Sequence, residues 1–226
     1  MTEISEFHAF AHDLRHYLRQ SITQSQLALR RSADQLTPEL QSTLEVVIRA
    51  GLKCDELIKA MAQYSEAGTQ PNRTWPLRRA LQALPLDVRP QLDAVGARLS
   101  IEYSGTETPD IPQSLQEVWH ELVTNSVRFR RPEILLEMML QIQLEPERLH
   151  FHFHDTGIGI APQHRDEIFL PFRRLHARDA YPGFGLGLPK CRKVLQSLGG
   201  DMQCVDSQDG AAFEGWCRLN LLEAAA

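Results

Sequence analysis

At 226 residues, with 42% of them hydrophobic, the chain is long enough for one large domain or two smaller ones. Its net charge of −5 offers no basic footprint for nucleic acid, no apolar run reaches the length of a membrane span, and the N-terminus has no signal-peptide pattern. Four cysteines (Cys54, Cys191, Cys204 and Cys217) stand at unrelated spacings without a C-x-x-C, which reads as reduced thiols of a cytoplasmic protein.

Residues 2 to about 66 hold one proline, Pro38, and one glycine, Gly51, a helical composition. Phe7, Phe10, Ala11, Leu14, Leu18, Ile22, Ser25 and Leu29 recur at three- and four-residue steps and fall in one stripe. A break follows at 34–39, where Thr37 is placed to cap a second helix with Pro38 at its first position. That helix carries Leu40, Leu44, Val47, Ile48, Leu52, Leu57, Ile58 and Met61. Two such helices predict an antiparallel hairpin. Alone, it buries only part of its apolar surface, so a homodimer forming a four-helix bundle is the natural solution. His12 lies roughly 130° from the centre of the stripe, on an exposed flank. His8 and His16, one turn to either side, are predicted to be equally exposed, so periodicity does not choose among the three.

Residues 67–76 read as a linker by composition, giving a division into 1–67, 68–76 and 77–226. Beyond it the elements shorten: a helix over 77–84, a strand over 99–103, and a segment at 109–112 leading into a helix from 113 to about 130. On that last helix Glu121, Asn125 and Arg128 share one face. A carboxylate, an amide and a guanidinium on one stripe suit either a surface ion-pair arrangement or a platform for magnesium and phosphate. Strands are expected at 134–144, 149–155, 201–206 and 213–221, with a helix over 189–198. The strand from Leu149 alternates phenylalanines with His150, His152 and His154. Sequence places no fourth ligand for a metal there, and a solvated strand face is the better reading.

That strand delivers Asp155 into a glycine turn, Asp155-Thr156-Gly157-Ile158-Gly159-Ile160, and a second turn runs Gly183-Phe184-Gly185-Leu186-Gly187-Leu188. Glycines two apart let backbone N–H groups converge on an anion, and a following helix adds its dipole. Neither turn is a Walker loop, and the second lacks the strand a Rossmann turn requires.

In this order the segments resemble a bacterial sensor histidine kinase core. Phe10-Ala11-His12-Asp13-Leu14-Arg15 is similar to the H box, and Glu121-Leu122-Val123-Thr124-Asn125-Ser126 with Arg128-Phe129 to the N box. The two glycine turns are similar to the glycine boxes, and Ile168-Phe169-Leu170-Pro171-Phe172 to the F box. The stretch Arg174 to Gly183 resembles kinases of the bacteriophytochrome type. The fold implied is α+β: a dimeric helical hairpin for phosphotransfer, then an α/β sandwich of the GHKL ATPase type.

The resemblance implies an autophosphorylating, ATP-dependent protein-histidine kinase that passes phosphate from His12 to an aspartate in a response regulator receiver domain. By the same resemblance Asp13 orients the imidazole and accepts its proton, with Glu121 the other candidate for the catalytic base, while Asn125 and Glu121 serve magnesium and Arg128 the phosphates. Asp155 takes the adenine amine, and Gly157, Gly159, Gly183, Gly185, Gly187 and Leu188 line the nucleotide. Phe169 and Phe172 anchor a lid over 173–184. The chain opens on the H-box helix, so either it is a piece of a longer protein or it takes its signal from a separate sensor protein. Three departures stand out: Tyr17 where the family has proline, so the helix kink is expected to be missing; His16 where a residue supporting phosphatase chemistry is usual; and Phe184, whose bulk narrows the second turn. These motivate an alternative, a catalytically inactive phosphotransfer adaptor or pseudokinase of the same architecture. A chaperone-, gyrase- or mismatch-repair-type ATPase is a third option, disfavoured by the hairpin.

Overall fold

A computed structural model describes residues 3–31, 36–69, 73–105, 109–176 and 181–219. The chain divides into two compact units, 1–66 and 67–226.

The first unit is a hairpin of α1 (Glu3–Arg31) and α2 (Pro38–Glu66). Thr37 caps α2, its hydroxyl accepting from the Leu40 N–H at 3.3 Å and its carbonyl from the Gln41 N–H at 3.0 Å. The helices run antiparallel, since His8 meets Ala62, Arg15 meets Asp55, and Ile22 lies over Gly51. Gly51 permits that approach: a methyl there would stand 2.7 Å from Ile22 Cγ1. Of the predicted stripe on α1, only Ala11 and Ile22 are fully buried, while Phe10 and Leu14 are exposed, as are Leu40, Val47 and Leu52 on α2. α1 passes unbroken through Tyr17.

The second unit begins with a strand inside the stretch predicted as linker. β1 (Thr74–Pro76) pairs antiparallel with β3 (Asp110–Pro112), and each strand leads directly into a helix, α3 (Leu77–Val95) and α4 (Gln113–Arg128). α3 extends well past the predicted end at 84, through Pro85 and Pro90. An interior proline costs about 3 kcal/mol, but fully burying one leucine or valine returns about 1.5–3 kcal/mol. Leu77, Ala80, Leu84, Val88 and Leu92 are all buried, so the stripe outweighs the breakers. The helix ends where it must, at Gly96, left-handed at φ 66, with Ala97 N–H returning to the Leu92 carbonyl.

β2 (Arg98–Ser104), β4 (Glu137–Glu145), β5 (Arg148–Asp155), β6 (Asp201–Val205) and β7 (Ala212–Arg218) form one sheet in the order β2-β4-β5-β7-β6. Only β2 and β4 run parallel; the other pairs are antiparallel. Along β5 the alternation resolves cleanly. Leu149, Phe151, Phe153 and Asp155 are buried, and His150, His152 and His154 lie half-buried on the opposite face. Trp119 of α4 packs edge-on to Phe151, tying the helical layer to the sheet. α4 lies between α3 and α5 (Gly187–Ser197) in that layer. The architecture is the α/β sandwich expected.

Candidate functional site

α4 organises the site. Its inner face, with Leu115, Val118, Trp119, Leu122, Val123 and Ser126, is buried, which turns Glu121, Asn125 and Arg128 toward the two glycine turns, all three half-buried. Arg128 Nη1 donates to Asn125 Oδ1 at 2.9 Å. The C-terminal end of α4 meets the first turn: Ile158 N–H donates to the Phe129 carbonyl at 3.0 Å, and a methyl on Gly157 would stand 2.8 Å from that oxygen. Four residues before Asn125 on the stripe, Glu121 lies against the second turn, its Cδ 2.8 Å from where a methyl on Gly187 would be. Arg128 reaches the same turn, with Nη1 3.5 Å from the position a Gly183 side chain would take. α4 therefore sits between the two glycine turns, and both depend on missing side chains to approach it.

Asp155 is buried, at 4% exposure, with its acceptors engaged on both oxygens. Oδ2 accepts from the Ser126 hydroxyl at 2.5 Å; Oδ1 accepts from Gly157 N–H at 2.8 Å and Ala211 N–H at 3.0 Å. Sequence reasoning missed two of these three supports. Ser126 ends the N-box segment, and the resemblance gave it no role. Ala211 follows Gly210, left-handed at φ 72 in an Asp-Gly turn between strands, a signal for a bend but not for a partner. Gly159, at φ 77, also closes on Gly210: a methyl there would stand 2.9 Å from the Gly210 oxygen.

The two F-box phenylalanines are placed differently. Phe169 is buried, with the Arg192 guanidinium 5.0 Å above its ring. Phe172 is 53% exposed, so its ring is not packed into the core. Its backbone makes the contact with the second turn. Held left-handed at φ 64, Phe172 donates its N–H to the Gly185 carbonyl at 2.9 Å, joining the F box to the second turn. Gly185, at φ 71, accepts this packing because a methyl would sit 2.5 Å from the Arg173 oxygen. Arg174 closes the stem of the expected lid by donating to the Gly183 carbonyl at 2.5 Å and the Tyr181 carbonyl at 2.6 Å. His176 and Tyr181 bring their rings to Phe129, at 6.1 and 4.9 Å between centroids. Glu167 accepts from Arg173 Nε at 2.7 Å and contacts His164, and these partners, Arg173 first, hold its carboxyl below the ordinary range. The lid residues 177–180 lie outside the described residues. Phe184, Gly187 and Leu188 are half-buried, and α5 starts at Gly187.

On the hairpin the His12 side chain is 83% exposed, with Nδ1 3.3 Å from Asp13 Oδ1. His16 is also exposed. His8 is not: it is half-buried, with Nε2 3.2 Å from Glu66 and 3.5 Å from the Ala62 carbonyl. The three histidines are therefore not equivalent. One turn beyond His12, Arg15 Nε donates to Asp55 at 2.8 Å, with Arg19 3.4 Å away, and Arg15 foremost holds the Asp55 carboxyl below its ordinary value.

Asn125 and Glu121 place an amide and a carboxylate oxygen one turn apart, hard donors of the type magnesium accepts when substrate phosphates and water complete its shell. Among the described residues no cluster of three His, Cys, Asp or Glu side chains is arranged to hold a metal by itself, the alternating histidines included. Nor is any described helix long and apolar enough to cross a membrane.

A mixed five-stranded sheet backed by helices, with two glycine turns closing on one helix, defines a sandwich of the GHKL ATPase type. Residues 110–221 match the family described as "Histidine kinase-, DNA gyrase B-, and HSP90-like ATPase". Cyanobacterial phytochrome A of Nostoc sp. (strain PCC 7120) is 31% identical over 216 residues, covering 93% of this chain and 28% of that protein. Among solved structures, full-length ShkA in complex with AMPPNP gives a TM-score of 0.69 at 20% identity, over 96% of this chain and 46% of that one. Histidine kinase ThkA in complex with the response regulator protein TrrA gives 0.59 at 15% identity, over 93% and 61%. The chain is thus built as a sensor histidine kinase core with a GHKL-type ATPase domain, and it spans 28% of the phytochrome's length.

Proposed function

We propose that the chain is an ATP-dependent, autophosphorylating protein-histidine kinase of a two-component system. The observation that carries this is the convergence on α4: Glu121 against Gly187, Arg128 against Gly183 and Gly157 against Phe129, around a buried Asp155. Asp155 is fixed by Ser126, Gly157 and Ala211, and a carboxylate held this firmly presents a fixed acceptor to an adenine amine. Gly159, Gly183, Gly185, Gly187 and Leu188 form the walls for the base and phosphates, and Arg128 offsets phosphate charge. Asn125 and Glu121 would hold magnesium, which when bound neutralises charge on the transferring phosphoryl group.

His12 is the phosphate acceptor. With Nδ1–H directed at Asp13, the imidazole keeps its lone pair on Nε2, facing solvent. Nε2 attacks the γ-phosphorus, the bond to the ADP oxygen breaks, and the positive charge arising on the ring is offset through the Nδ1–H bond to Asp13. The phosphoramidate then passes to an aspartate of a response regulator receiver domain, a partner class suggested by the complex of ThkA with TrrA. The exposed apolar side chains Phe10, Leu14, Tyr17, Leu40, Val47 and Leu52 are covered by a second hairpin in a homodimer.

Incubation with γ-labelled ATP tests the reading. The expected label is acid-labile and alkali-stable, absent in His12→Gln and retained in His8→Gln. Absence of label alongside intact nucleotide binding would leave the adaptor, which the bulk of Phe184 favours. Label surviving in His12→Gln would move the site to His16.

A further inference from the structure

Asn125 has one side-chain oxygen, and one of its two lone pairs is engaged. Arg128 Nη1 donates to Oδ1 at 2.9 Å, and the amide must face that way, because its nitrogen would oppose a guanidinium donor. A divalent cation also needs that oxygen. The oxygen has two lone pairs, but a guanidinium and a divalent cation gathered on it would repel each other at close range, so the Arg128 contact opposes metal binding there. Gly183, at φ 137, shapes the space above the guanidinium. A side chain there would stand 3.5 Å from Nη1, and the Gly183 carbonyl is itself held by Arg174. Arg128 thus lies between the metal-binding oxygen and the stem of the lid.

We infer that Arg128 acts as a positioning residue that keeps Asn125 closed to magnesium until a nucleotide triphosphate arrives. This rests on the nucleotide-binding reading of the site given above. Phosphate oxygens offer Arg128 charge-assisted, bidentate partners, stronger than a neutral amide. Trading one for the other releases Oδ1 at the moment the phosphates that complete the magnesium shell are in place. Metal and nucleotide then load together. Free magnesium alone meets the guanidinium at Asn125, and the exchange of Arg128 between two acceptors is the element that couples the two ligands.

The test follows the side-chain amide resonance of Asn125, assigned by its loss in Asn125→Ala, with the Gly157 backbone amide as an independent reporter of nucleotide binding. The full chain receives Mg²⁺ alone, the non-hydrolysable analogue AMPPNP with EDTA, or both. In the parent protein Mg²⁺ alone should leave the Asn125 resonance where an ionic-strength control puts it, and AMPPNP with EDTA should move it. In Arg128→Met, Mg²⁺ alone should move it, with an apparent Kd lower by about ten- to a hundredfold, the factor equivalent to losing one charge-assisted hydrogen bond. Arg128→Lys keeps a cationic donor and should restore the parent order, which separates gating from lost packing. Equal Mg²⁺ affinity in the parent and Arg128→Met overturns the inference. So does AMPPNP that moves Gly157 but leaves Asn125 in place. A Gly157 amide that never responds removes the nucleotide reading, and this inference with it.

Discussion

Gly187→Ala separates the integrity of the fold from the geometry of the site. Gly187 is the first residue of α5 and is not among the left-handed glycines, so alanine suits its backbone. The added methyl, however, would overlap the Glu121 carboxylate, with Cδ at 2.8 Å and Cγ at 3.3 Å. Carbon atoms pack at about 3.5–4.0 Å, so the head of Glu121 must retreat by roughly 1 Å. The retreat is through a flexible side chain and costs about 0.5–1.5 kcal/mol in rotamer strain. Replacing glycine by alanine in a helix returns about 0.5–1 kcal/mol. The two nearly cancel, so urea unfolding should show a stability change below about 1 kcal/mol. Phosphorylation should not be spared. A misplacement of about 1 Å at a positioning group can lower the rate about a hundredfold, and single-turnover labelling of His12 reads this directly. An unchanged labelling rate in a normally stable Gly187→Ala protein would refute the role of the Glu121–Gly187 contact. A loss of stability well above the predicted range would show that Glu121 cannot retreat.

Two further outcomes follow from named contacts. Ser126→Ala removes the hydroxyl that donates to buried Asp155 at 2.5 Å, and should cost about 1–3 kcal/mol in thermal or denaturant unfolding, with nucleotide affinity falling as the carboxylate loses its fixed orientation. Asp55 on the hairpin has its carboxyl lowered chiefly by the Arg15 hydrogen bond, then by Arg19. Its contribution to stability is therefore complete above the unfolded value of about 3.9 and is lost as pH falls through the lower folded value. Arg15→Gln should flatten that part of the acid-unfolding profile, and an unchanged acid limb would refute the pairing.

Much of the molecule was legible because it rests on local patterns. The hairpin follows from apolar steps of three and four and from Thr37-Pro38, and β5 from strict alternation around Phe151 and Phe153. The shared face of Glu121, Asn125 and Arg128 is a property of helix geometry alone. Less legible were elements whose local chemistry argues against them. Pro85 and Pro90 signal a helix end, yet the buried stripe from Leu77 to Leu92 carries α3 through both. Thr74 to Pro76 has the composition of a linker, but β3 supplies its ladder partner from much further along the chain, at Thr74↔Pro112 to Pro76↔Asp110. His8 looked as exposed as His12 until α2 brought Glu66 beside it.

The amino-acid order on its own determined which residues share a face, because that depends only on neighbours a few bonds away. Tertiary structure alone decided what those faces meet. Ala211 N–H and the Ser126 hydroxyl converge on Asp155 from separate elements, Arg128 closes over Asn125 beneath Gly183, and Phe172 anchors by its backbone while its ring stays exposed. The physical reason is that these contacts form only when the sheet and its helices pack, and packing depends on the sum of buried surface rather than on any local motif.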